Sequence, residues 1–206
     1  MTLDSRFGFY GILTQPVLGY EALAKAMVKC DVRFIQLRMK DTPRAEVLAM
    51  GKRLRPLIPR GIYFIINDDP ELAREVGADG VHLGQDDMPY AEARALLGDG
   101  AMIGISTHNP DQAREACGLQ PDYIGVGPVF ATPTKKIPDP VIGLDGMREM
   151  LRVASVPAVA IGGIDLSNIH QVIDAGAANF SAVRCVNQAR EPEKVLGQLQ
   201  GVANGK

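Results

Sequence analysis

The segment from Ile124 to Lys136, IGVGPVFATPTKK, joins a short apolar run to a loop whose residue types can bind an anion. Gly125 and Gly127 would let the backbone approach a ligand closely, and Pro128 would stiffen the exit from the apolar run. This composition indicates a loop that holds phosphate, although an exposed polar turn after a core strand would have the same residue types. Hydroxyls, backbone amides and positive charge come from Thr132, Thr134, Lys135 and Lys136.

Aspartates follow two other apolar runs in a pattern that suits a metal ion. Asp68 comes after IYFIIN, and Asp87 comes shortly after GVHL. If these runs are adjacent strands, the two carboxylates could hold one Mg²⁺ ion, which commonly takes one or two carboxylates plus phosphate oxygens and water. The alternative is that they cap the following helices, because prolines mark both helix starts. Their neighbours Asp69 and Asp86 are better suited to capping or surface roles.

Positive charge and glycine pairs indicate two places where phosphate could bind. Arg38 and Lys40 follow the run RFIQL, and together with Lys135 they would face metal-bound phosphates. In IGGID, Gly162 and Gly163 would expose backbone amides close to a helix N-terminus, although such a pair is also typical of a tight turn. Two separate anion sites predict two phosphorylated substrates.

The three histidines have different predicted roles. His82 lies inside an apolar run, which favours a structural role, and His170 lies in a predicted helix, which favours the surface. His108 follows Ser106 by two residues at the end of another apolar run. It could act as an acid–base group near neutral pH, or its segment STHN could cap the next helix.

Short apolar runs alternate with amphipathic segments of helical length along the whole chain. Continuous apolar strands suit a parallel sheet covered by helices, and eight strand–helix units predict an α/β fold of the closed (β/α)8 TIM barrel type. We expect a single compact domain over residues 1–206, with an open doubly wound sheet as the alternative. In a barrel, the residues that follow the strands meet at one end. The predicted strands are residues 9–13, 33–38, 62–67, 80–83, 102–106, 123–127, 158–162 and 180–185.

Composition limits the class of protein further. The 206 residues carry a formal net charge of -2, which argues against general nucleic-acid binding, and no basic run suggests a membrane surface. Cys30, Cys117 and Cys185 are scattered without a CxxC spacing and predict reduced thiols. With no signal peptide and no apolar run near the roughly 20 residues of a membrane helix, we expect a soluble cytoplasmic protein, with a homo-oligomer possible.

Several motifs together resemble the thiamine-phosphate synthase family. IQLRMKD, IIND, GADGVHLGQDD, IGISTH, DYIGVGPVFATPTKK and VAIGGI occur in this order between about Arg33 and Val183. The resemblance implies a (β/α)8 barrel that joins a hydroxymethylpyrimidine diphosphate to a thiazole phosphate, with Mg²⁺ as cofactor. The products would be thiamine phosphate and diphosphate.

The resemblance also implies a role for each matching residue. Arg38, Ser106 and Lys135 would be the catalytic residues, acting on the pyrimidine diphosphate and on the departing diphosphate. The other implied ligands are Gln36, Lys40 and Asn67 for the pyrimidine diphosphate, Asp68 and Asp87 for Mg²⁺, and Thr132, Pro133, Thr134 and Gly163 for the thiazole phosphate.

The chain departs from the family pattern in two places, and two other functions stay open. The eighth strand of the family usually ends in a Val/Ile–Ser pair that holds the thiazole phosphate, whereas Arg184 and Cys185 stand there in this sequence. Arg184 could bind the phosphate directly or narrow the pocket. The segment ILTQP also lacks the acidic residue that often follows its threonine in the family. One alternative is a related thiazole tautomerase that uses His108 without Mg²⁺, and the other is a non-catalytic binder of thiamine intermediates.

Overall fold

Eight parallel strands form a closed barrel in which each strand pairs with its neighbours in chain order, and β8 pairs with β1. The computed structural model describes residues 5–132 and 140–203. The closed barrel of eight parallel strands with intervening helices confirms the predicted (β/α)8 architecture. The strands are β1 (Gly8–Leu13), β2 (Phe34–Leu37), β3 (Tyr63–Asn67), β4 (Gly80–Leu83), β5 (Met102–Thr107), β6 (Tyr123–Val126), β7 (Ala158–Ile161) and β8 (Asn179–Ser181).

Helices cover the outside of the barrel, and their apolar faces bury a continuous core against the strands. None of the helices in residues 5–132 and 140–203 is long and apolar enough to cross a membrane. The helices are α1 (Tyr20–Lys29), α2 (Arg44–Leu54), α3 (Pro70–Val76), α4 (Tyr90–Leu97), α5 (Pro110–Gly118), α6 (Gly143–Val153), α7 (Ile169–Asp174), α8 (Val183–Asn187) and α9 (Pro192–Ala203), with a 3-10 turn at Arg55–Leu57.

Local sequence sets both ends of α3. The Asp69 side chain accepts a hydrogen bond from the backbone N–H of Leu72 at 2.8 Å, and Pro70 occupies the first turn. Gly77 ends the helix in the left-handed conformation, with a φ of 70°. The predicted capping role of Asp69 is confirmed, so this helix start does not need the side chain of Asp68.

Aspartates at the N-terminal end of the barrel accept hydrogen bonds from neighbouring backbone and arginine side chains. Asp79 precedes β4 and accepts a hydrogen bond from the backbone N–H of Phe64 at 2.7 Å and another from Arg55 at 2.7 Å. Asp122 precedes β6 and accepts a hydrogen bond from Arg94 at 2.9 Å. Each acidic residue therefore links adjacent units at the end of the barrel opposite the predicted site.

Aromatic rings fill the interior of the barrel below the strand C-termini. The ring of Phe34 lies 5.4 Å from Tyr10, 4.8 Å from Tyr63 and 4.5 Å from Phe7, measured between ring centroids. Tyr123 lies 5.6 Å from the same ring. Such packing makes the lower barrel a solid core, so a ligand can enter only from the strand C-termini.

The prediction of an eighth strand over residues 180–185 is wrong at its C-terminal end. β8 ends at Ser181, and a short helix follows it. The amide of Asn187 holds this helix, because it donates hydrogen bonds to the carbonyls of Ile12 at 2.7 Å and Val183 at 2.8 Å and accepts one from the N–H of Thr14 at 2.8 Å. A short apolar run does not distinguish a strand from a helix by periodicity, and here these tertiary hydrogen bonds decide.

Candidate active site

A cavity of about 1370 Å³ opens at the C-terminal ends of the strands. It brings together predicted residues that lie on or follow seven of the eight strands, as the barrel topology requires. Pro133, Thr134, Lys135 and Lys136, which were predicted to bind or act on substrate or to add charge, lie outside the described residues. The predicted residues that line the cavity are Gln36, Arg38, Lys40, Asn67, Asp68, Asp87, Ser106, Thr132, Gly162, Gly163, Arg184 and Cys185.

The carboxyl groups of Asp68 and Asp87 lie side by side at the rim of this cavity. Burial raises the pKa of Asp87, and the neighbouring Asp68 carboxyl raises it further. Asp87 Oδ2 accepts a hydrogen bond from the backbone N–H of Gly84 at 2.6 Å, and Lys40 forms an ion pair with Asp68. Two adjacent carboxylates partly removed from water create a strong local demand for a cation.

The chemistry of this pair fits Mg²⁺. Oxygen ligands from two carboxylates suit a hard cation. In this structure the positive charge beside them comes from Lys40, which pairs with Asp68. Among residues 5–132 and 140–203 no group of three or more His, Cys, Asp or Glu side chains converges on one point. A cation held by Asp68 and Asp87 would therefore need further ligands from substrate or water, which is the usual arrangement for Mg²⁺.

Arg38 brings a second cation to the same side of the cavity. Burial lowers the pKa of its guanidinium, whereas the charges of Asp68 and Asp41 raise it. The guanidinium is half-buried and remains protonated, because an arginine pKa lies far above neutral pH. Arg38 and Lys40 therefore provide two positive charges beside the carboxylate pair, an arrangement suited to a diphosphate.

Gly162 and Gly163 form a close-packed turn after β7. Both have positive φ values, 102° and 63°. A Cβ atom on Gly162 would lie 2.5 Å from Pro128 Cα, and one on Gly163 would lie 2.6 Å from the carbonyl oxygen of Ala131. The N–H of Phe130 donates to the carbonyl of Gly162 at 2.9 Å, so the loops after β6 and β7 are joined along this turn. Only glycine fits here, which explains the GG pair in physical terms.

Arg184 and Cys185 lie in the first turn of α8 and not at the end of a strand, so that part of the prediction is corrected. Both still line the cavity. Burial raises the pKa of the Cys185 thiol to about 11, which keeps it protonated and non-nucleophilic near neutral pH. Hydrogen bonds from Ser167 lower the pKa of Asp165, and the charge of Arg184 lowers it further. Arg184 and Asp165 line the same cavity.

A chain of hydrogen bonds joins side chains that line the cavity, and sequence reasoning missed most of it. Gln36 Nε2 donates to the hydroxyl of Tyr10 at 3.0 Å, and this hydroxyl lies 2.7 Å from that of Tyr123. The Tyr123 hydroxyl lies 3.2 Å from His82 Nδ1, and His82 Nε2 lies 2.8 Å from Ser106 Oγ. Polar residues inside apolar strands were the available signal, because buried polar groups must find partners.

Of the two roles predicted for the segment STHN, the structure shows helix capping, which Asn109 provides. Asn109 caps α5 by accepting a hydrogen bond from the N–H of Gln112 at 2.9 Å. His108 lines the cavity, and its Nδ1 lies 2.6 Å from the carbonyl oxygen of Gly127. Because a carbonyl only accepts, Nδ1 carries the proton of this bond. His170 is exposed on α7, as predicted.

Comparison with known proteins identifies the family. Residues 14–186 match the family model of thiamine monophosphate synthase. A thiamine-phosphate synthase of Gloeobacter violaceus is 49% identical over 159 residues, which are 77% of this chain and 46% of that protein. One from Pelotomaculum thermopropionicum is 38% identical over 214 aligned positions, which cover 98% of each chain.

A solved structure supports the same assignment. Thiamine phosphate pyrophosphorylase from Pyrococcus furiosus superposes with a TM-score of 0.86 at 30% identity, covering 97% of this chain and 96% of that one. The chain spans about half the length of some relatives, 46% of the Gloeobacter protein and 54% of a Nostoc protein, and nearly all of others. On these matches, the chain belongs to the thiamine monophosphate synthase family.

Proposed function

We propose that this protein is a thiamine-phosphate synthase. It would join 4-amino-2-methyl-5-(diphosphooxymethyl)pyrimidine to a thiazole phosphate and release diphosphate in a Mg²⁺-dependent reaction. The observation that carries the proposal is that one cavity receives both the Asp68–Asp87 carboxylate pair with its two cations and the Gly162–Gly163 turn. These are two different kinds of anion site, as two phosphorylated substrates require.

The proposed diphosphate site lies at the ends of β2, β3 and β4. Asp68 and Asp87 would hold Mg²⁺, and the bound ion would neutralise charge on the leaving diphosphate. Arg38 and Lys40 would bind the phosphate oxygens, with Lys135 as a further cation from the loop after β6. Lys40 now forms an ion pair with Asp68 and would exchange that carboxylate for phosphate when the ion binds.

The proposed pyrimidine site continues downward into the barrel. Gln36 on β2 is 2% exposed, and Asn67 on β3 and Ser106 on β5 line the same cavity. Polar side chains that are fixed by the barrel wall suit an aminopyrimidine ring, which carries both donors and acceptors. The aromatic floor beneath them would exclude water from the reacting carbon.

The proposed thiazole phosphate site lies across the cavity. Backbone amides of Gly162 and Gly163 would bind the phosphate, together with Thr132, Pro133 and Thr134, and Arg184 would add charge from α8. The thiazole nitrogen already has a free lone pair, so the coupling requires no strong protein base. The site accordingly needs groups that stabilise departing negative charge.

The three cysteines are free thiols, which supports a reducing compartment, and we propose the cytoplasm. We propose small phosphorylated molecules as partners, with no role for nucleic acid or a membrane.

A coupling assay tests the proposal. Purified protein is incubated with both phosphorylated substrates, in Mg²⁺ or in excess chelator, and thiamine phosphate and diphosphate are measured. We expect equimolar products in Mg²⁺ and none in chelator. Thiazole tautomerisation without coupling would replace this proposal with the tautomerase alternative, in which His108 is the acid–base residue. Tight binding of the thiazole phosphate with no turnover would replace it with a non-catalytic binder.

A further inference from the structure

The hydrogen-bonded chain inside the barrel connects two residues on opposite sides of the cavity. Gln36 lies on β2 and Ser106 on β5, and the hydroxyls of Tyr10 and Tyr123 and the ring of His82 connect them. Tyr10 and Gln36 are 2% exposed and Tyr123 is 1% exposed, so water cannot readily replace a missing partner.

Both tyrosines remain neutral hydroxyls in this position. Burial is the main cause that raises the pKa of Tyr10 and of Tyr123, and the neighbouring Tyr10 raises that of Tyr123 further. Each hydroxyl therefore carries one hydrogen to donate and can also accept.

Counting donors fixes the direction of the chain. The Tyr10 oxygen accepts from Gln36 Nε2, and within residues 5–132 and 140–203 the other partner of this hydroxyl is Tyr123. Tyr10 must therefore donate to Tyr123, because its buried hydrogen would otherwise lack an acceptor. Tyr123 has then used its oxygen to accept and donates its own hydrogen to His82 Nδ1.

The hydrogen bond between His82 and Ser106 has its direction fixed in the same way. A neutral imidazole that accepts at Nδ1 carries its hydrogen on Nε2, and this Nε2–H donates to Ser106 Oγ at 2.8 Å. Ser106 Oγ lines the cavity and accepts from His82, so its own hydrogen is available to a ligand. The reverse direction requires the Gln36 amide to turn over, so that its oxygen accepts from Tyr10.

We propose that Tyr10 and Tyr123 are positioning residues that couple the orientation of the Gln36 amide to the tautomer of His82. With Gln36 donating to Tyr10, His82 is held as the Nε2–H tautomer, and Ser106 presents a hydrogen-bond donor to the cavity. The role of the Ser106 hydrogen in the synthase reaction rests on the proposed function, whereas the tautomer of His82 does not. A ligand with a hydrogen-bond acceptor next to Ser106 would thus favour the orientation in which Gln36 donates to Tyr10. That orientation would in turn favour binding of the ligand.

NMR spectroscopy measures the tautomer of His82 directly. Long-range ¹H–¹⁵N correlation spectra of ¹⁵N-histidine-labelled protein are recorded at pH about 8, above the ordinary histidine pKa of about 6.5. We expect His82, assigned by its loss in His82→Asn, to have a protonated Nε2 and an unprotonated Nδ1. A protonated Nδ1 in the wild-type protein would overturn the proposal, and this measurement needs no variant of the tyrosines.

Substitution of the linking hydroxyl tests the coupling. Tyr123→Phe removes the donor to His82 Nδ1, so we expect a mixture of tautomers and a roughly tenfold lower kcat, the effect of losing one oriented hydrogen bond. Tyr63→Phe is the matched control, because Tyr63 packs on Phe34 in the same interior and has no part in the chain. An unchanged His82 tautomer in folded Tyr123→Phe, or the same change in Tyr63→Phe, would overturn the coupling.

The outcomes separate this proposal from the proposed function. If the wild-type protein has the Nε2–H tautomer but does not form thiamine phosphate, the hydrogen-bonded chain stands and the synthase assignment fails. If it forms thiamine phosphate with the Nδ1–H tautomer, the assignment stands and the proposed direction of the chain is wrong.

Discussion

The carboxyl groups of Asp68 and Asp87 interact electrostatically, although they follow different strands and are separated by a complete helix. Parallel strands bring their carboxyl ends to one edge, which is why residues distant in sequence meet there. Asp87 differs from an ordinary surface aspartate in its pKa. Burial raises this pKa, and the charge of Asp68 raises it further.

Asp87→Asn is predicted to raise the thermal stability of the metal-free protein near neutral pH. A raised folded-state pKa means that the wild-type protein loses stability as pH rises from the ordinary aspartate value of about 4 through the folded pKa. The difference in Tm between variant and wild type should therefore widen as pH rises. Thermal unfolding in chelator between pH about 4 and about 8 measures it, with the exposed Asp86→Asn as control. A pH-independent difference would contradict the prediction.

Addition of Mg²⁺ should make the wild-type protein more thermally stable than Asp87→Asn. The ion would stabilise the wild-type protein by binding its folded state and would have little effect on Asp87→Asn. Equal stabilisation of both proteins would show that Asp87 is not a ligand.

Gly163→Ala is predicted to weaken binding of the thiazole phosphate. A Cβ atom would lie 2.6 Å from the carbonyl oxygen of Ala131 and would displace the turn. We expect at least a tenfold rise in KM for the thiazole phosphate, with a much smaller change for the pyrimidine diphosphate, in steady-state assays. Gly77→Ala is the matched control, because Gly77 has a similar φ of 70° at the opposite end of the barrel and open space around its Cβ position. Similar kinetics in both variants would refute the prediction.

Arg184→Ser replaces a guanidinium, which the family pattern does not have at this position, by a small hydroxyl side chain. If Arg184 binds the thiazole phosphate, the variant should raise KM for that substrate by about tenfold, as expected for loss of a hydrogen bond to a charged group. The exposed Arg190→Ser removes the same charge just beyond α8 and serves as control. A lower KM in Arg184→Ser would instead indicate that the arginine narrows the pocket.

Lys135→Ala is predicted to slow coupling far more than Lys136→Ala. Only Lys135 matches the family position that contacts the departing diphosphate, and loss of one such cation typically costs a hundredfold or more in kcat. Single-turnover diphosphate release measures the chemical step for both variants. Equal effects would mean that the roles of the two lysines have been assigned wrongly.

Asn187→Ala is predicted to lower the free energy of unfolding by about 2–4 kcal/mol. The substitution leaves buried backbone groups of Ile12, Val183 and Thr14 without their partner amide. Chemical denaturation measures the change. Its exposed neighbour Gln188→Ala should change stability by less than about 0.5 kcal/mol. A loss of that small size in Asn187→Ala would mean that α8 does not depend on this amide.

The sequence by itself determined the barrel and the identity of most cavity residues. Eight apolar runs, each followed by a helix, leave few topologies, and polar residues just after the runs must then meet at one end. Local signals such as Asp69 and Gly77 were sufficient to define the ends of α3, because caps depend on residues only a few positions apart.

Only the tertiary structure decided what each of these residues touches. Val183 to Asn187 forms a helix because the Asn187 amide binds backbone on β1, a contact across more than 170 residues that no local pattern encodes. His82 has the same residue type whether it is structural or part of a site, and its partners Tyr123 and Ser106 come from two other strands. Periodicity specifies which face of a strand is buried, whereas hydrogen-bond partners and pKa shifts depend on distances between strands that exist only once the barrel has closed.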